Sequence, residues 1–183
     1  MGLKAKHENT EIDILATHDG HLIGHAITET EFEHNSGRGN SWIWQSANVD
    51  IDVNDTLIAV RNDTDSFLIW TRMLISPGNV AMHCNIGIGE ATTTMAGTTI
   101  TGRNPNGEFL GKSPASLATA IGDETALADA DLIFTAWGST TETKIIPLDG
   151  LVCVKGQYLQ VNSELEATSG RIALFGHFSS EVV

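Results

Sequence analysis

Asp55-Thr-Leu-Ile-Ala-Val-Arg61, then Asn62-Asp-Thr-Asp65, then Ser66-Phe-Leu-Ile-Trp-Thr-Arg-Met-Leu-Ile-Ser76 is the stretch that decides the fold. Two runs rich in Ile, Leu, Thr and aromatic residues flank four turn-prone ones. Such residues suit pleated strands, whose side chains leave alternately to either face. The spacing predicts an antiparallel ribbon closed over residues 62–65. A second ribbon is expected where Tyr158-Leu-Gln-Val161 and Arg171-Ile-Ala-Leu-Phe175 flank a polar stretch containing Ser169-Gly170.

Working outward, Thr10 to Ala16 alternates apolar and polar residues and meets the turn pair Asp19-Gly20. Residues 21–33 continue as an extended run, and 35–40 read as a loop. Ser41-Trp-Ile-Trp-Gln45 is a short strand with Trp42 and Trp44 on one face. Asp50-Ile-Asp-Val53 alternates like a half-buried strand with acids outward, and Val80 to Ile88 is a further strand closing at Gly89. Residues 92–123 are ambiguous. Ser113 before Pro114 fits an N-cap and first helical residue, so a short helix over 113–121 is one reading. Residues 130–137, 143–146 and 151–154 read as strands. Short strands with frequent turns predict an all-β, jelly-roll-like antiparallel β-sandwich. Residues 1–25 are expected to form an N-terminal arm or attachment segment and 26–183 the sandwich domain.

Ten Lys and Arg against 23 Asp and Glu give a net charge of −13, which argues against direct nucleic-acid binding because a phosphate surface needs a basic stripe. The two cysteines, Cys84 and Cys153, sit among apolar neighbours and read as buried reduced thiols. No signal peptide and no membrane span is expected, so synthesis in a cytoplasm is expected. The Met1-Gly2 start fails the myristoylation pattern at Lys6.

Four constellations invite chemistry. Gly20-His-Leu-Ile-Gly-His25 with Glu29, Glu31, Glu33 and Gly37 is similar to the first metal motif of the cupins. On a strand, however, His21 and His25 lie about 13 Å apart, too far to share one ion. Asp50, Asp52, Asp55, Asp63 and Asp65 offer oxygens for calcium but lack the EF-hand spacing. No nucleophile elbow or phosphate loop occurs. Trp42, Trp44, Trp70 and Trp137 could stack sugars, though buried core is the commoner fate of strand tryptophans. No catalytic residue, metal ligand or cofactor is therefore expected, and the chain reads as a non-enzyme.

Several segments resemble those of jelly-roll virion structural proteins of tailed bacteriophages. They are Ser41 to Trp44, Asp55 to Asp63, Thr98 to Asn106, Ala118 to Thr125, Gly156 to Val161 and Gly176 to Phe178. The resemblance implies a particle component, such as a capsid decoration or cement protein on the outer shell, or alternatively a tail- or fibre-associated receptor- or glycan-binding module. It implies location in the virion, contact with the major capsid protein or other virion proteins, and self-association, first expected as a trimer. It implies neither nucleic-acid nor membrane binding. The candidate interface residues are Lys4, Lys6, His21, His25, Trp42 and Trp44.

Overall fold

The computed structural model describes residues 35–36, 38–47, 52–53, 55–78, 80–90, 95–106, 117–122, 130–140, 142–164 and 169–180, together with the backbone of 3–7, 10–16, 22–28 and 124–125. Strands β1 (Leu3–His7), β2 (Thr10–Ala16) and β3 (Leu22–Thr28) form an antiparallel sheet of their own, with Ile12 opposite Ala5 on one side and Ala26 on the other. The expected arm over residues 1–25 takes in β1, β2 and part of β3.

The rest is a sandwich. One sheet orders β12 (Lys144–Pro147), β6 (Phe67–Pro77), β15 (Gly170–Ser179) and β4 (Ser41–Gln45), with the two-residue β13 (Val152–Cys153) also on β6. The other orders β11 (Ala130–Gly138), β7 (Met82–Gly89), β14 (Tyr158–Ser163), β5 (Asp55–Asn62), β9 (Ala118–Gly122) and β8 (Thr98–Thr99), with β10 (Glu124–Thr125) also on β5.

Pairing is nested: β4 with β15, β5 with β14, β6 with β12 and β13, and β7 with β11. The first half of the chain is thus one long ribbon against the second half. Because β4, β5, β6 and β7 fall alternately in the two sheets, the ribbon is rolled up, which is the jelly-roll arrangement. Residues 90–129 are an insertion between β7 and β11, and its strands β8 to β10 extend the second sheet beyond β5.

Both expected ribbons are corrected by this topology. β5 and β6 do not pair, nor do β14 and β15; each pair of strands straddles the two sheets. The apolar sides of β5 and β6 therefore face each other through the core instead of lying side by side in one sheet. Both edges of β5 are taken by β14 and by β9 with β10, and both edges of β6 by β15 and by β12 with β13. Residues 62–65 form the corner between the layers. There Asn62, fully buried, donates from Nδ2 to the carbonyls of Ser66 at 2.6 Å and Cys153 at 2.9 Å, and its Oδ1 accepts from the Thr64 N–H at 2.9 Å.

The core holds Trp42, Trp44, Leu68, Trp70, Met73 and Ile75 from one sheet and Ile58, Val60, Cys84, Ile86, Leu159 and Val161 from the other. Trp44 and Trp70 meet edge to face, with centroids 5.6 Å apart. In β6 the buried positions change parity between Trp70 and Met73. The ladder to β15 slips there, with Phe175 opposite Arg72 and Gly176 opposite Trp70, leaving Thr71 as the extra residue of a bulge. Its hydroxyl donates to the Phe175 carbonyl at 3.0 Å. Without the bulge, one half of β6 would turn its apolar side chains to solvent.

A second small cluster, Ala59, Ile121 and Tyr158, lies on the outer side of the β5 layer with Met95 of the insertion and Ala130 of β11 packed on it. That is why β5 is buried at residues of both parities. Two local expectations also change. Residues 118–121 belong to β9, so the strand claims the second half of the helix expected over 113–121, whose start lies outside the described residues. Asp52 and Val53 lie outside a strand: the Asp52 N–H donates to Asp55 Oδ2 at 2.9 Å and the Asp55 N–H to the Asp52 carbonyl at 3.2 Å, a turn closed on itself.

Candidate interaction surface

The residues singled out in the sequence separate sharply in space. Trp42 and Trp44 are 1% and 0% exposed, so they are core and no partner or sugar can reach them where they stand. They are corrected as interface candidates. Trp42 and Trp44 follow the strand period inward because the large apolar area of an indole is best removed from water between two sheets. Lys4 and Lys6 lie on β1 and His25 on β3, with only the backbone described, and His21 lies outside the described residues.

The aspartates also part company. Asp52 and Asp55 close their turn at the start of β5, whereas Asp63 and Asp65 lie past its far end, about 25 Å away by strand rise. Asp63 accepts from Arg61 Nε at 2.6 Å and from the Thr119 hydroxyl at 2.6 Å, which ties β5 to β9. Asp65 meets Lys155 Nζ at 2.8 Å. Among the described residues no group of three His, Cys, Asp or Glu is placed to hold a metal ion.

Both cysteines are free and buried. Burial, with the Glu164 carboxylate adding to it, pushes the Cys84 thiol up to about 12. Burial pushes Cys153 up to about 11, against a lowering contribution from the Trp70 indole N–H, which donates to its sulfur at 3.3 Å. Thiols held this far from ionisation are poor nucleophiles.

A different surface emerges at the outer edges of both sheets. β11 and β12 are edge strands of the two layers and touch each other. They carry Leu132, 63% exposed, Ile133, 43%, Trp137, 63%, and Ile145, 62%. Ile133 is the extra residue of a bulge, since Leu132 pairs with Gly87 and Phe134 with Ile86. Bulges at sheet edges turn the strand away from open-ended pairing.

Trp137 lies opposite His83 in the ladder, and the two rings meet edge to face at 5.7 Å. The Lys144 ammonium stands 6.0 Å from the indole centroid, and His83 Nδ1 is 3.8 Å from Glu164. The indole separates two hollows. One, of about 510 Å³, is bordered by His83, Ser139, Glu142, Thr143 and Ile145; the other, of about 360 Å³, is bordered by Phe134, Thr135, Ala136, Lys144 and Ile146. An exposed, braced indole beside hollows is suited to contact because it brings large apolar area at little cost in side-chain entropy.

Sequence reasoning named Trp137 only as one tryptophan of four and passed over Leu132, Ile133 and Ile145. Only Leu132-Ile-Phe134, three apolar residues running against strand alternation, hinted at something unusual, and nothing in it says that the strand is an edge. A third hollow, about 780 Å³, opens at the opposite side of the sandwich, between the ends of β4 and β8, and is bordered by Gln45, Ser46, Thr98, Thr99, Thr101 and Arg103. Among the described residues no helix is long and apolar enough to cross a membrane. No protein-family model, curated protein or solved structure matches this chain.

Proposed function

We propose that this chain is a non-enzymatic virion structural protein, a decoration or cement protein bound to the outside of a capsid that stabilises the shell by bridging its subunits. The observation that carries the reading is the placement of Trp137, Ile145, Leu132 and Ile133 in water on the adjoining edges of both sheets, while the other tryptophans are buried. Large apolar side chains gathered on a surface mark contact sites. Its partners are the major capsid protein or other virion proteins and further copies of itself. Burying the exposed part of Trp137 alone removes on the order of 150 Å² from water, a gross gain of about 4 kcal/mol before association entropy is charged against it. Repeated over many sites, modest contacts of this size hold a shell through avidity.

Mass spectrometry of purified particles tests the proposal. A copy number on the scale of the shell subunits is expected, and absence from mature particles would overturn it. The second reading is a receptor- or glycan-binding module at a tail tip, favoured by one feature: the exposed Trp137 indole lies beside Ser139, Glu142 and Thr143, groups able to hydrogen-bond a saccharide. Low copy number together with a glycan-array signal lost in Trp137→Ala would select it.

A further inference from the structure

We infer that two copies of this chain meet across a two-fold axis at the β11–β12 edge, each seating Trp137 in the apolar hollow of the other; this rests on the reading of the chain as a self-associating assembly protein. The first support is shape. The indole projects beside a hollow of about 360 Å³ bordered by Phe134, Ala136 and Ile146, so one patch carries both a knob and a socket. A two-fold rotation presents each feature of a patch to the same patch of the partner, so adjacent knob and socket satisfy each other twice.

The second support is charge. Glu142 and Lys144 lie two residues apart at the start of the β12 edge, both exposed, and neither is in an ion pair among the described residues. An axis near Thr143 sets Glu142 of each copy against Lys144 of the other. The β11–β12 edge carries Lys144 against Asp131 and Glu142, so reciprocal Glu142–Lys144 pairing is the charge complementarity that two identical copies can offer each other there. Closure is the third. Pro147 ends β12 without an N–H, and the bulge at Ile133 interrupts β11, so strand addition stops at the edge instead of propagating into a filament. Bracing by His83 and Lys144 holds the indole ready before contact.

Sedimentation velocity on the full chain tests the inference, with circular dichroism confirming that each variant is folded. The parent is expected to be a dimer and Trp137→Ala a monomer at the same concentration. Lys144→Glu and Glu142→Lys are each expected to weaken association by about tenfold or more, and the double swap Glu142→Lys with Lys144→Glu to restore it to within about threefold of the parent. A monomeric parent, the trimer first expected from the sequence, a dimer indifferent to Trp137→Ala, or a double swap no better than the singles would each overturn it. If the dimer behaves as described but the protein is missing from particles, the virion reading falls and the two-fold contact stands. If it decorates particles and the swap fails to rescue, only the contact falls.

Discussion

Replacing Asn62 with alanine should test the corner that sends the chain from one sheet to the other. The side chain is fully buried and makes four hydrogen bonds: Nδ2 to the Ser66 and Cys153 carbonyls, and Oδ1 from the Thr64 N–H and hydroxyl. Alanine keeps the backbone bonds of residue 62 to Gln157 and Gly156 but orphans the partners of the side chain. Thr64, whose N–H and hydroxyl share one lost acceptor, and Ser66 are partly accessible and can turn to water, so each of these two residues costs about 1 kcal/mol; the buried Cys153 carbonyl cannot and costs about 2 kcal/mol. The sum is about 4 kcal/mol, a large part of the stability of a typical domain. For a chain of this size it corresponds to roughly 8–16 °C in Tm, or about 2 M in the urea midpoint at a slope near 2 kcal/mol/M. Urea unfolding followed by tryptophan fluorescence reads it directly. Asn62→Asp is expected to be worse, because a carboxylate would then face two carbonyl oxygens. A loss below about 1 kcal/mol in Asn62→Ala would refute the assignment of the corner to this side chain.

Gly102→Ala would place a Cβ 2.5 Å from the indole nitrogen of buried Trp44, and the overpacking should cost about 1–3 kcal/mol and perturb tryptophan emission; an unchanged melt would contradict the packing. Deleting Thr71 removes the extra residue and leaves Leu68, Trp70, Met73 and Ile75 on one face of a regular strand still in register with β15, so a cooperatively folded protein is expected by calorimetry, destabilised by only about 1 kcal/mol for the lost Thr71 bond to the Phe175 carbonyl; loss of the cooperative transition would contradict the bulge. The thiols make a prediction with a definite sign. Their folded values, about 12 for Cys84 and about 11 for Cys153, lie above the ordinary 9.0, so no contribution appears below that value. Above it the unfolded chain releases protons that the folded one retains, and stability should fall by up to about 1.4 kcal/mol per pH unit for each thiol. Urea titrations at increasing alkaline pH should show this slope, halved in Cys84→Ala; a slope of opposite sign would overturn the burial argument.

Much of the sandwich was legible because a strand's neighbours in sequence write its burial into the chain. Ser41 to Gln45 is β4, and the run ending at Gly89 is β7. Trp42 and Trp44 obeyed alternation and went inward. What misled was the turn between β5 and β6. Asn62-Asp-Thr-Asp65 has turn composition whether it closes a hairpin or carries the chain across the core, since both need a tight reversal with satisfied backbone groups. Thr71 was equally silent: a bulge is a mismatch between two strands and has no signature in either alone. The candidate surface stayed hidden for a related reason. Trp70 and Trp137 both stand in apolar strand contexts, yet one is enclosed and the other 63% exposed, because Trp70 alternates into the core whereas Trp137 lies opposite His83 on the outer face of β11, between buried Ala136 and Gly138.

The amino-acid order by itself determined an all-β chain, acidic and rich in short strands, through alternation and turn chemistry, which act over a few residues. Tertiary structure decided which strands pair, that β5 and β6, and likewise β14 and β15, occupy opposite sheets, and which tryptophan meets water. Those outcomes depend on which edges are already taken when two distant halves of the chain come together, and no local stretch carries that information.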